Sequence, residues 1–277
     1  MRVGVAVIDT GIYRHVDFDS RIIGFKDFIN GKTNPYDDSG HGTHVSGIIA
    51  GSGKASRGKY KGIAPEAAII AVKVLDSAGN GRIANVINGA RWILKVKDYY
   101  NIKVVNISFG TTMENQEDEA EELISAIDNL WNEGIAVVAA AGNSGPEKYS
   151  VTAPGICRSI ITVGAYDDKS FGDGKSNDKK YYSGRGPTRE CIMKPEVVVA
   201  GSNIVACSNR KNAYAVKSGT SMAAPIVSGA IARLLGERTL TPKEIKKRLM
   251  HCCKKIDIPA NQQGWGMLDV IRFISDK

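Results

Sequence analysis

No run of about 18 apolar residues occurs anywhere in the 277-residue chain, so the sequence excludes a transmembrane helix. It has no Pro/Ser-rich linker, no internal repeat and no low-complexity tract, and residues 1–277 are expected to form one domain. Cysteine is scarce and odd in number: Cys157, Cys191, Cys207, Cys252 and Cys253 show no metal-type spacing. Five thiols cannot all pair, and the adjacent Cys252–Cys253 is a poor disulfide candidate. Reduced thiols suit a cytoplasmic protein, with a mature fragment of a secreted one as the alternative. The opening Met1–Ala6 is too short and too strand-like for a signal peptide, which agrees with the cytoplasmic compartment.

Acid is the minority charge, 29 Asp+Glu against 37 Lys+Arg, for a net +8. A nucleic-acid surface would cluster that excess on one face with aromatics between. Here the densest stretch, Lys243, Lys246, Lys247, Arg248, Lys254 and Lys255, falls on an expected C-terminal helix and its end, where cations complement the helix dipole. The acidic run Glu114–Glu122 likewise suits the first turns of a helix. Neither nucleic acid nor membrane is an expected partner. The sequence carries no signature of oligomeric state.

Short apolar runs at Val3–Ile8, Ala68–Leu75, Val104–Ile107, Ile135–Ala141, Ile160–Val163 and Glu196–Val199 predict strands buried on both faces. Helical patterns lie between and after them, at 43–50, 83–96, 117–131, 221–235 and 242–250. Thr241, Pro242 and Glu244 give the last a capping box. The alternation predicts an α/β fold: a doubly wound, mainly parallel sheet with helices on both faces, whose site forms at the carboxyl ends of strands. The polar stretch Asp167–Arg185 is expected to be a surface loop.

Three segments carry chemistry. They are Val7-Ile8-Asp9-Thr10-Gly11, His41-Gly42-Thr43-His44-Val45-Ser46-Gly47 and Gly219-Thr220-Ser221-Met222-Ala223-Ala224-Pro225. A serine hydroxyl needs a neutral imidazole to take its proton, and the imidazole needs a carboxylate to hold its tautomer. Asp9 ends an apolar strand; taken alone it reads equally well as a turn-forming residue before Thr10-Gly11. His41 lies between Gly40 and Gly42, which lets backbone pack close to the ring. A metal reading of His41 and His44 at i,i+3 conflicts with the i,i+4 spacing and intervening Glu of zinc hydrolases. His44 is expected to be a hydrogen-bonded core histidine, and no metal ligands are assigned. Ser221 opens a small-residue helix whose free N–H groups favour developing negative charge, and Pro225 is expected in that helix's first turn.

Asp, His and Ser in that chain order set this sequence apart from chymotrypsin-type and α/β-hydrolase enzymes. The chain resembles the subtilisin family of serine endopeptidases from Arg2 to about Phe273, and its loops and the Gly264-Trp265-Gly266 ending are most similar to intracellular bacterial members. The resemblance implies a subtilisin-like fold, proteins or peptides as substrates, and catalytic Asp9, His41 and Ser221. It also implies that Asn143, in Ala139-Ala140-Ala141-Gly142-Asn143, donates to the oxyanion alongside the Ser221 backbone N–H. Extended substrate would lie between Gly79-Asn80-Gly81 and Ser108-Phe109-Gly110. Ala141 and Gly142 would complete the S1 wall, with Thr152 as its floor and Thr220 beside the nucleophile. Ile83 and Val86 would line S4. Both pockets are apolar, so large apolar P1 residues are expected.

No cofactor is expected to be required. The family's tight calcium site draws ligands from a segment before the first strand and from a loop after the His helix. Here the loop Ser52–Lys59 has Lys54, Arg57 and Lys59 and no carboxylate. The usual tight calcium site is thus expected to be missing, and a weaker site is left open elsewhere, for instance near Asp167, Asp168 and Asp173. A narrow processing protease and a catalytically silent binding module are the alternatives to a general endopeptidase.

Overall fold

The computed structural model describes residues 2–111, 117–170 and 180–275. Residues 114–116 of the acidic run and Asp173 lie outside the described residues. Among the described ones, seven strands form a continuous parallel array: β1 (Gly4–Asp9), β2 (Ile22–Asp27), β3 (Ala68–Lys73), β4 (Ile102–Ile107), β5 (Ala136–Ala140), β6 (Ile161–Ala165) and, after the short β7 (Lys169–Ser170) and β8 (Lys180–Tyr181), β9 (Val197–Val199). β10 (Ile204–Cys207) and β11 (Tyr214–Lys217) make a separate antiparallel hairpin, and β12 (Cys253–Lys254) and β13 (Met267–Leu268) extend one sheet edge. The sheet order is β12-β13-β9-β6-β5-β4-β1-β3-β2.

The helices are α1 (His41–Ala50), α2 (Ile83–Val96), α3 (Glu117–Asn132), α4 (Thr220–Glu237), α5 (Pro242–His251), α6 (Ala260–Gln263) and α7 (Val270–Ile274). α1 and α4 pack together on the sheet, while α2 and α3 pack together as a second pair. Sandwiched strands must be apolar throughout, and β1, β3, β5 and β6 are buried at every residue. The doubly wound parallel architecture expected from the sequence is thus present.

From β1 the sheet continues through β3 to β2 on one side and through β4, β5 and β6 on the other, and the chain fills the first side before it crosses to the second. The order reverses at β1, and a crevice opens beyond the carboxyl ends of strands at such a reversal. The segments leaving β1, β3, β4 and β5 at residues 10–11, 74–82, 108–111 and 141–143 all emerge along this edge. The stretch expected as a surface loop has buried ends, since Asp168 and Ser183 are fully covered. β7 pairs with β8 there, and Asp168 accepts hydrogen bonds from Ser183 N and Gln262 Nε2.

Candidate active site

Asp9 closes β1 with its side chain buried. Its Oδ1 accepts from Thr10 N at 2.7 Å and meets His41 Nδ1 at 2.7 Å. A carboxylate only accepts, so Nδ1 holds the imidazole proton and Nε2 is left as the basic nitrogen. Burial pushes the His41 pKa down, but the charge and hydrogen bond of Asp9 outweigh it and the net shift is upward. His41 is the first residue of α1, which begins two residues before its expected start at Thr43. Gly42 makes the approach possible: a Cβ there would strike the Gly11 carbonyl and come within 3.2 Å of Asp9 Oδ1.

A residue not singled out in the sequence braces this corner. The buried Asp37 carboxylate accepts from Thr10 Oγ1 at 2.9 Å, Gly40 N at 2.8 Å and Thr43 N at 2.9 Å, and Thr10 Oγ1 accepts from Gly42 N at 2.9 Å. Asp37 therefore caps α1 from outside the helix and ties it to the turn after Asp9. Only its position four residues before His41 hinted at this. His44, fully buried, has Nε2 at 3.0 Å from Ala215 O and 3.2 Å from Ile204 O, so α1 is fastened to the β10–β11 hairpin. Burial lowers its pKa to about 4, and it stays neutral near pH 7.

That hairpin leads directly into α4, where Ser221 is half-buried and second in the helix. Pro225 departs from the expectation. α4 begins at Thr220, so Pro225 is its sixth residue, in the second turn, and the hydrogen bond it omits is the one to the Ser221 carbonyl. Asn143, at the exit of β5, is exposed. Its Oδ1 accepts from Thr220 N and Thr220 Oγ1, both at 3.0 Å, and Thr220 Oγ1 accepts from Gly142 N at 3.1 Å. With the carbonyl end held, the Nδ2 donor of Asn143 is fixed beside the start of α4. A Cβ on Gly219 would lie 3.2 Å from that nitrogen.

The expected substrate-binding residues gather on the same edge. Gly79, Asn80 and Gly81 form an exposed turn after β3, closed by Asp76 N to Asn80 O at 2.8 Å. Ile83 is half-buried and Val86 buried on α2. Ser108 is buried, Phe109 half-buried and Gly110 exposed. The following Thr111 pairs with Ala153 through two backbone bonds of 3.0 and 3.1 Å. Ala141 and Gly142 are buried, and Ala141 O accepts from Thr152 N at 3.1 Å. Thr152 Oγ1 is buried with no hydrogen-bond partner, and a Cβ on either Gly110 or Gly142 would fall on it. The Thr152 side chain therefore fills the gap between these two glycines.

The loop expected to matter for calcium is organised around an anion. The buried Asp17 carboxylate accepts from Gly53 N at 3.1 Å, Ala55 N at 2.9 Å and Tyr214 Oη at 2.8 Å. Lys54 pairs with Asp19 at 3.3 Å. His15, Asp17 and Cys207 are the one group of potential metal ligands among the described residues. Burial and the nearby Asp17 push the Cys207 thiol pKa up, so it stays protonated. Near Asp168, Asp167 accepts from Gly201 N at 2.7 Å and Ser202 N at 3.1 Å.

Asp, His and Ser in that chain order, at the carboxyl edge of a doubly wound sheet, are the arrangement of a subtilisin-type serine protease. The chain belongs to the subtilase family, Peptidase S8, whose family profile matches residues 2–266. It is 41% identical over 265 residues to serine protease AprX of Bacillus subtilis (strain 168), a match covering 89% of this chain and 60% of AprX. It is 33% identical to subtilisin DY of Bacillus licheniformis, over 89% of this chain and 82% of that protein. The fold is similar to a cold adapted subtilisin-like serine proteinase, with TM-score 0.75 and 29% identity over 96% of this chain and 86% of the other. Sphericase gives TM-score 0.77 and 27% identity over 96% and 90%. This chain thus spans about three fifths of the length of AprX. No helix among the described residues is long and apolar enough to cross a membrane.

Proposed function

We propose that the chain is a serine endopeptidase that hydrolyses peptide bonds through an acyl-enzyme. The observation that carries this reading is the 2.7 Å contact between His41 Nδ1 and a buried Asp9, which leaves Nε2 as a base. The His41 Nε2 takes the Ser221 hydroxyl proton as Oγ attacks the substrate carbonyl carbon. The carbonyl oxygen becomes an oxyanion that accepts from Asn143 Nδ2 and Ser221 N–H. As the C–N bond breaks, His41 returns the proton to the leaving amine. Water then attacks the ester, gives one proton to His41, and the serine recovers it when the acyl–oxygen bond breaks. Removing an oxyanion donor of this kind costs about 10²–10³ in kcat, a magnitude taken from subtilisin rather than worked out from this chain.

P1 is apolar in this reading, since a charged side chain would lose water without gaining a partner. Thr152, wedged between Gly110 and Gly142, shortens the pocket and favours aliphatic over aromatic residues. Calcium is not required: calcium takes oxygen ligands, and the loop after α1 instead turns N–H groups onto Asp17. The free thiols at Cys157, Cys191, Cys207, Cys252 and Cys253 support a reducing, cytoplasmic compartment. The test is labelling by an active-site-directed fluorophosphonate, followed by mass spectrometry of the modified peptide. The label is expected on Ser221 and absent from Ser221→Ala; labelling that persists in the Ala variant would overturn the assignment.

A further inference from the structure

β3 ends in a buried cation that this mechanism does not use. The Lys73 side chain has no exposed surface, and its backbone is in register with Asp9 on one side and Asp27 on the other. An ammonium has three N–H donors, and all three find acceptors. Lys73 Nζ donates to Thr10 O at 2.7 Å, to Leu75 O at 2.8 Å and to Asp38 Oδ1 at 2.8 Å. The Tyr36 ring lies 5.0 Å from Nζ. Burying an ammonium is costly even when it is paired, and an apolar residue would end the strand without that penalty.

Two of the acceptors flank the proposed Asp9–His41 pair. Thr10 directly follows Asp9, and Asp38 lies three residues before His41. We propose that Lys73 is a positioning residue for the Asp9–His41 pair. It holds the turn that leaves β1 against the segment that enters α1, so that the carboxylate and imidazole meet at hydrogen-bonding distance before substrate arrives. A residue with this role must fix direction as well as distance, and three bonds from one tetrahedral nitrogen, to the turn after β1, to the loop before α1 and back to the exit of its own strand at Leu75, do so. The inference rests on the proposed roles of Asp9 and His41.

The charge has a second effect. Asp38 touches the ammonium, Asp9 and Asp27 are the register partners of Lys73 on β1 and β2, and Asp37 precedes Asp38 in the loop before α1. Lys32 lies 4.5 Å from the centre of the same Tyr36 ring, and Lys217, at the end of β11, is the other cation that acts on His41 and lowers its pKa. Lys73 is thus a fully buried cation beside the Asp9–His41 corner, where Asp9 and Asp37 favour a protonated His41. Removing the ammonium favours imidazolium, raises the His41 pKa and moves the acid limb of kcat/KM to higher pH. Removing the Asp38 charge acts in the opposite sense.

The experiment compares Lys73→Met, equal in length and uncharged, with Asp38→Asn and the wild-type chain. Active sites are counted by fluorophosphonate titration so that unfolded protein drops out. For Lys73→Met the expected result, per titrated site, is a kcat loss of about 30-fold or more with KM changed by less than about 3-fold, since only the catalytic geometry is disturbed. Its acid limb should rise by about half a pH unit or more. Proton NMR should show the downfield His41 Nδ1–H resonance shifted or broadened. Asp38→Asn keeps an Oδ1 acceptor for Lys73 Nζ but removes the charge, and should move the limb to lower pH. A merely structural lysine would lower the melting temperature yet leave kcat per site, the limb and the resonance unchanged, and that result overturns the proposal. If Lys73→Met does not fold, an unmoved or upward limb in Asp38→Asn overturns it instead. Loss of fluorophosphonate labelling in the wild-type chain would refute the proposed function rather than this inference.

Discussion

Replacing Gly42 by Ala adds a single methyl group at the most crowded point of the site. That methyl would fall inside the van der Waals surface of the Gly11 carbonyl oxygen and lie 3.2 Å from Asp9 Oδ1. A carbon needs about 3.3 Å from a carbonyl oxygen, so the start of α1 must retreat from β1 by roughly 1 Å. Taken along the β1–α1 contact, the 2.7 Å His41–Asp9 bond would stretch past about 3.6 Å, where it no longer counts as a hydrogen bond. A displacement of about 1 Å costs on the order of 10²-fold, and full loss of the tautomer-holding carboxylate costs about 10⁴-fold. The expected kcat of Gly42→Ala lies between those limits. Overpacking should also lower stability by about 1–3 kcal/mol. The assay is kcat per titrated active site on a neutral peptide, with a melting curve to confirm folding. A folded Gly42→Ala protein with wild-type kcat would show that the close approach of α1 to Asp9 is not needed for activity.

Three further outcomes are expected. Activity should rise with pH through a midpoint above about 6.5, because the Asp9-bound imidazole holds its proton more tightly than a free one and only the neutral form accepts a proton from serine; a kcat/KM flat from about pH 5 to pH 9 refutes this. Thr152→Gly should raise kcat/KM for peptides with Phe at P1 relative to Ala at P1 by about 10-fold or more, by reopening the space between Gly110 and Gly142; an unchanged ratio would place P1 elsewhere. Melting in EDTA and in millimolar calcium, with Ser221 blocked, should agree within about 2 °C, whereas calcium at about 1,000 times a site's Kd would add ~4 kcal/mol, or about 10 °C for a chain of this size.

Much of this fold was legible because double burial leaves a strong trace. Strands covered on both faces are apolar at every residue, and the runs at β1, β3 and β5 stood out for that reason. α2 begins at Ile83 and ends at Val96 as its periodicity predicts, and the Thr241–Glu244 capping box is present. β2 escaped notice because an edge strand has one wet side, and Ile22–Asp27 mixes exposed and buried residues. The β10–β11 hairpin has the same difficulty. The start of α1 was misplaced because Gly40 and Gly42 are poor helix formers; the missing stabilisation comes from Asp37, a contact that exists only after folding. Asp9, His41, Asn143 and Ser221 sit in segments whose local chemistry is visible. Lys73, Asp37 and the Thr220 bonds to Asn143 depend on register between distant strands, which no local pattern encodes.

The spacing of the Asp and His segments from the Ser helix has a consequence in time. Asp9 and His41 lie within the first 50 residues, while Ser221 is carried on α4, 180 residues after His41. At a synthesis rate of roughly 5–20 residues per second, about 10–40 s separate the emergence of the base from that of the nucleophile. A nascent chain can therefore assemble the carboxylate–imidazole corner while it still has no means of cutting anything. Because α4 spans β4, β5, β6 and β9, its docking also waits on the completed sheet. In the proposed mechanism, cleavage therefore waits until the segment carrying Ser221 has been made and α4 has docked.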